Sequence, residues 1–161
     1  MIKEKSGNIE KALKYAYWLI GRRNHSEKEM RQKLGRNYNS GVVEPVIEKL
    51  KLQKVINDDL FAKEWAEYRL KQNKSKNFVM SELSRKGISR KTAQDIFSEM
   101  NIDESANAYN SVERKIRQYA KLEPFKKKNK ILRFLASKGF DFDVIEQVTQ
   151  KLMESDKSEE D

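Results

Sequence analysis

The side chains with the most chemistry to offer are cations gathered near helix-breaking residues. Arg22, Arg23, Lys33 and Arg36 form one group, and Lys74, Lys76, Arg85, Lys86, Arg90 and Lys91 a second. The run Lys126-Lys127-Lys128-Asn129-Lys130 forms a third. Pro124 suits the first position of a helix, where its missing amide costs nothing. The lysines then occupy the opening turns, where positive charge opposes the helix dipole. An unfavourable local choice of that kind points to an anionic ligand such as phosphate. Lys86 and Lys138 close helices and complement the dipole there, so a structural duty explains them better than binding does.

Other candidates for chemistry are sparse. His25 is the only histidine and there is no cysteine, so no His/His or Cys/His pair, disulfide or thiolate zinc site can form. Placed before Ser26, His25 is expected in an exposed loop. The adjacent acids Asp58 and Asp59 suit a helix start better than acid–base catalysis. No glycine-rich phosphate loop, nucleophile elbow or metal-ligand spacing is present. We therefore expect binding rather than catalysis, with no cofactor and no metal. Trp18, Trp65, Tyr15, Tyr17, Tyr119 and Phe125 lie among the cations and have the rings to stack on bases. Their helical spacing assigns them to core or inter-repeat packing instead.

The elements that must position these groups are helical. Apolar and charged residues are equal at 37%, and only 6 Gly and 2 Pro occur in 161 residues, a poor composition for a β-sandwich. The net charge is +9, although the stretch after Met153 carries five acids against one lysine and is expected to be a disordered tail. The basic remainder suits nucleic acid or an acidic protein surface. No apolar run approaches a membrane span, and no secretory signal opens the chain, so a cytoplasmic, membrane-free and monomeric protein is expected.

One phrase recurs. Arg85-Lys86-Gly87-Ile88-Ser89 and Ser137-Lys138-Gly139-Phe140-Asp141 each close a helix with glycine and open the next with a capping side chain. The two glycines stand 52 residues apart. Their flanks keep register: Val79 and Leu83 match Ile131 and Leu135, and Ala93, Ile96, Phe97 and Met100 match Ile145, Val148, Thr149 and Leu152. A third copy runs through Met30 and Leu34, then Val43, Val46, Ile47 and Leu50, with Asn37 standing in for the glycine. Pro45 implies that the helix there starts later than Asn39 suggests. Leading helices carry Leu13, Ala16 and Ile20 in the first copy. In the second, Phe61, Ala62, Trp65 and Ala66 follow a cap at Asn57 or Asp58. In the third they are Ala106, Tyr109, Val112 and Ile116. The reading is all-α, an elongated array of three tandem three-helix repeats with a period of about 50 residues. The repeats span 9–56, 57–101 and 102–153, with the acidic tail at 154–161.

The phrase Ile56-Asn57-Asp58-Asp59-Leu60-Phe61-Ala62 resembles the apolar-x-Asp-Asp-x-Phe-Ala signature of the RecX family, regulators of the bacterial RecA recombinase. Arg22 to Leu34, Glu82 to Ile88 with Gly87, and Phe134 to Phe140 with Gly139 are similar to that family's phrases in the first, second and third repeats. The resemblance runs from about Ala12 to Leu152. It implies a protein that lodges in the groove of a RecA–DNA filament, limits filament growth, ATP hydrolysis and strand exchange, and binds single- or double-stranded DNA weakly. Read from residues alone, a helix-turn-helix-like protein acting directly on duplex DNA is the alternative. The absence of a strongly basic helix with Asn, Gln or Arg at base-reading positions weighs against it. A scaffold for an acidic protein is a third reading.

Overall fold

The computed structural model describes the backbone of residues 5–158, and their side chains other than those of Arg114 and 156–158. Helices in chain order are α1 (Ile9–Ile20), α2 (Glu27–Leu34), α3 (Ser40–Leu52), α4 (Asp58–Leu70), α5 (Lys76–Arg85), α6 (Arg90–Glu99), α7 (Glu104–Tyr119), α8 (Pro124–Ser137) and α9 (Phe142–Ser158). Among the described residues the sole extended pairing is an isolated parallel bridge between Ser6 and Tyr38. The helices fall in threes, the all-α repeat architecture expected. Two compact units result, Met1–Trp65 with Leu83–Ile96, and Ala66–Glu82 with Phe97–Asp161.

In the first unit, α1, α2 and α3 bury Ala12, Ala16, Leu19, Met30, Leu34, Val46, Ile47 and Leu50 against one another. In the second, α7, α8 and α9 bury Ala108, Val112, Ile131, Leu135, Ile145, Val148 and Leu152. These positions recur at three and four residues, the period that puts side chains on one helical stripe. The α7 stripe is set by Ala108 rather than Ala106, which is exposed. Middle-repeat residues Phe61, Ala62, Ala66, Val79, Leu83, Ile88, Ala93 and Phe97 are also buried.

Helix ends follow the glycine phrase, with additions. Gly87 (φ 91°) and Gly139 (φ 79°) take the left-handed conformation. The following amides reach back, Ile88 N–H to Leu83 O at 3.0 Å and Phe140 N–H to Leu135 O at 3.4 Å, which closes each helix. Lys54 (φ 54°) and Asn73 (φ 57°) close α3 and α4 in the same conformation, with Val55 N–H on Leu50 O and Lys74 N–H on Arg69 O. Asn37 does not play this part: α2 ends on Gly35 in the right-handed conformation (φ −63°). There the chain's own start intervenes, with Ser6 N–H on Asn37 O at 2.9 Å and Asn39 N–H on Ser6 O at 3.2 Å.

Two further expectations are corrected. Asn39 is the true cap of α3, accepting Val42 N–H at 3.1 Å, and Pro45 lies inside the helix. Pro45 has no amide to donate to the carbonyl of Gly41 four residues back, and burial of Val42, Val43, Val46 and Ile47 offsets the missing hydrogen bond. The acidic stretch is not disordered from its start, since α9 continues to Ser158. Gln150 Nε2 donates to Glu154 Oε1 at 2.9 Å and Ser155 Oγ to Lys151 O at 3.0 Å, prolonging a helix already nucleated. The remaining tail, 159–161, lies outside the described residues.

Each unit contains a junction of the same design. Ser26 caps α2, taking Glu29 N–H at 3.2 Å, while its hydroxyl donates to Lys86 O at 2.7 Å. Ser75 caps α5, taking Phe78 N–H at 3.1 Å, and donates to Lys138 O at 2.7 Å. The next amide of each helix goes to a carboxylate on a later helix, Glu27 N–H to Asp58 Oδ1 and Lys76 N–H to Glu104 Oε1, both 2.8 Å. Asp58 thus serves α2, and its own helix is capped by Asn57, whose Oδ1 accepts Leu60 N–H at 3.0 Å.

Candidate partner and nucleic-acid interface

The junctions decide which cations are available. Lys86 Nζ lies 2.6 Å from Glu29 Oε1 and 3.8 Å from the centroid of the Trp65 ring. Its side chain is 17% exposed. Lys86 is committed to the junction and is withdrawn as a partner contact, because breaking its pair would leave a carboxylate only 16% exposed with Arg23 as its one remaining cation. Burial pushes the Glu29 carboxyl up, but hydrogen bonds from Arg23 and Lys86 outweigh it and hold it at about 2.

In the first cationic group, Arg22, Arg23 and Lys33 line a cavity of about 480 Å³ with Tyr15, Trp18, Leu19 and His25. Arg36 is exposed beyond the end of α2 and is not part of it. Arg23 Nη1 binds Glu29 Oε2 at 2.9 Å and Asn24 O at 2.7 Å, leaving its side chain 46% exposed. The Arg22 guanidinium sits 5.0 Å from the Trp18 ring centroid, an exposed cation–π contact of about 0.5–1 kcal/mol. His25 is buried rather than exposed, with Nδ1 2.9 Å from Arg23 O. Burial first, and the Arg23 charge second, hold its pKa below the ordinary value.

The second group is divided between the units. Lys74 and Lys76 belong to the second, half-buried, with their ammonium groups 5.3 Å from Phe78 and 5.6 Å from Phe97. Arg85, Arg90 and Lys91 belong to the first and are exposed, the last two in the opening turn of α6.

The third group does not act as a block. Lys127 is buried, 6% exposed, because it shares a stripe with Ile131 and Leu135 at intervals of four. It is withdrawn as a phosphate contact. Lys126 and Lys130 lie one turn apart, with Lys130 Nζ 5.7 Å from the Tyr119 ring. Lys128, roughly 200° round the helix from Lys126, borders an apolar groove with Phe125, Phe142 and Glu146. All three are exposed.

The aromatics also depart from the core assignment. Trp18 is 55% exposed, Tyr17 42% and Phe125 75%. The core face of α1 is Ala12, Ala16 and Leu19, which turns Trp18 outward together with Lys11 and Lys14. The spacing of Lys11, Lys14 and Trp18 was available in the sequence. It competed with an equally periodic apolar stripe, and only the buried alanines settle which face is inside.

Among the described residues no three His, Asp or Glu side chains converge to hold a metal, and no helix is long and apolar enough to cross a membrane. Comparison with known proteins gives a consistent result. Models of the first, second and third three-helix domains of RecX match residues 12–50, 57–95 and 103–149, in that order. The chain belongs to the RecX family. The Regulatory protein RecX of Clostridioides difficile (strain 630) is 32% identical over 148 residues, covering 91% of this chain and 70% of that one. That of Pelodictyon phaeoclathratiforme is 28% identical, covering 91% of both. A crystal structure of RecX from Lactobacillus salivarius superposes with a TM-score of 0.77 at 24% identity, covering 89% of this chain and 96% of that one, and so shares the fold. In RecX terms, the Asp58-Asp59-Phe61-Ala62 signature is structural: Asp58 holds the α2 amide while Phe61 and Ala62 are buried.

Proposed function

We propose that this chain regulates the RecA recombinase by binding RecA–DNA filaments and limiting filament growth, ATP hydrolysis and strand exchange. The observation that carries this reading is the unbroken succession of three RecX domains along the chain. The cation placement supports a distributed mode of binding. Arg22 and Arg36 are exposed in the turns after α1 and α2, Arg90 and Lys91 on α6, and Lys126, Lys128 and Lys130 on α8, rather than gathered on one helix. Individually modest contacts on several repeats add to high affinity when the partner is itself repetitive, since each later contact forms within the complex. In this reading the protein acts as a monomer and needs no cofactor.

The test is to measure RecA's DNA-dependent ATPase and filament length with sub-stoichiometric protein. Inhibition and shortening at low ratios are expected. Unchanged ATPase and filament length, together with tight binding to one duplex sequence, would overturn the proposal in favour of a direct helix-turn-helix-like activity.

A further inference from the structure

Trp18 stands in the last half of α1 with more than half its surface in solvent. Its neighbours along the helix are positively charged or aromatic. Lys11, Lys14 and Tyr15 share with it a shallow concavity of about 420 Å³, and Arg22 lies over its ring. Intervals of three and four place Lys11, Lys14, Tyr15 and Trp18 on one stripe of α1, and Arg22 reaches the indole from the turn that follows the helix. The Tyr15 ring lies 5.9 Å from that of Trp18 and within 16° of parallel, so the two form a stepped aromatic platform. Among the described residues, no carboxylate forms an ion pair with Lys11, Lys14 or Arg22.

We propose that this face of α1 is a binding site for unpaired nucleic acid. Trp18 stacks one base, and Lys11, Lys14 and Arg22 meet the flanking phosphates. Aromatic platforms flanked by unpaired cations suit a flexible polyanion with planar groups. The stripe lacks exposed aliphatic residues that would favour an apolar partner helix. A duplex keeps its bases stacked inside and offers the indole no face, so the site discriminates single from double strands. Without ligand, Arg22 covers part of the ring. A base stacks on an aromatic ring more strongly than an exposed guanidinium does. The base therefore takes the ring, and Arg22 turns to a phosphate.

The site needs no RecA, so its test is separate from the ATPase measurement and succeeds or fails independently of the filament reading. Fluorescein-labelled oligo(dT) is titrated alone, following polarisation and the protein's tryptophan emission. W65F, which keeps only Trp18, is expected to be quenched by oligo(dT), and W18F is not. W18A should bind roughly tenfold more weakly. The triple variant K11Q/K14Q/R22Q should flatten the salt dependence of affinity by about 2 in slope. Far-UV circular dichroism checks that each variant folds, W18F serving where W18A does not. The proposal is overturned if W18F is quenched as fully as W65F, if folded W18A binds as tightly as the parent, or if a duplex of equal length binds and quenches as well as oligo(dT).

Discussion

The Ser26 hydroxyl donates a 2.7 Å hydrogen bond to the carbonyl oxygen of Lys86, 60 residues along the chain, while its oxygen caps α2. One small side chain therefore satisfies both a helix start and a distant helix end. Ser26→Ala removes both bonds, and we expect it to cost about 1–3 kcal/mol. Urea denaturation followed by circular dichroism reads this directly. A loss no greater than that at an exposed serine would show that the junction contributes nothing.

Asp58 separates acceptor chemistry from charge. Its Oδ1 takes the Glu27 amide, and burial raises its pKa in spite of that bond. Asp58→Asn keeps an acceptor oxygen without the buried charge and is expected to be near neutral in stability at pH 7. Asp58→Ala leaves the amide unpaired and should cost about 1–3 kcal/mol. Equal denaturation midpoints for the two variants would contradict this assignment.

The pH dependence of stability has two windows on the acid side. His25, with its pKa lowered in the folded state, stays neutral there and opposes unfolding less as pH falls below 6.5. Glu29 is depressed from 4.5 to about 2, so its contribution is complete above 4.5 and is lost as pH falls toward 2. Glu29→Gln should shrink the lower window, to which Glu27 with its own lowered pKa also contributes, and should deepen the upper one, because the Glu29 charge no longer raises the His25 pKa. Thermal midpoints taken across pH 7 to 2 would expose an unchanged profile.

The two left-handed glycines differ in what surrounds them. A Cβ on Gly87 would stand 2.7 Å from the Lys28 Cβ, whereas on Gly139 it would meet the Ser75 Oγ at 3.1 Å. Both alanine variants carry backbone strain of order 1–3 kcal/mol, and Gly87→Ala adds a clash with an atom fixed to the helix. Gly87→Ala should therefore be the less stable of the two in parallel denaturation curves.

Lys127 and its neighbours should respond oppositely. K126Q/K128Q/K130Q is expected to reduce the salt slope of duplex binding by up to about 2.7, at 0.9 per phosphate contact, with little change in melting temperature. Lys127→Gln should lower the melting temperature and leave the slope alone. A slope that falls with Lys127→Gln would return that lysine to the interface.

What the sequence disclosed depended on whether a residue's type determines its place. Glycine at 87 and 139 announces a left-handed helix end, and Ser89 announces a cap, met by Thr92 N–H at 3.0 Å. Lys54 adopts the same backbone without any such signal, held there by the Val55 and Ile56 amides on Leu50 O and by the burial of Ile56 rather than by its own preference. His25, Lys127 and Trp18 were misplaced for one reason. Polarity predicts exposure only on average, and a single helical step decides whether a long side chain falls beside Ile131 or beside solvent. The cross-repeat bonds of Ser26 and Ser75 were invisible, since both serines read as ordinary caps and their acceptors are peptide carbonyls.

That last point bears on how such proteins diversify. The socket for each junction serine is a main-chain oxygen, at Lys86 and at Lys138, and a main-chain oxygen survives any substitution of the residue that carries it. Neighbouring modules can thus be spliced, exchanged or grafted between homologues while the connector persists, and the surface chemistry they display can drift without loosening the joint.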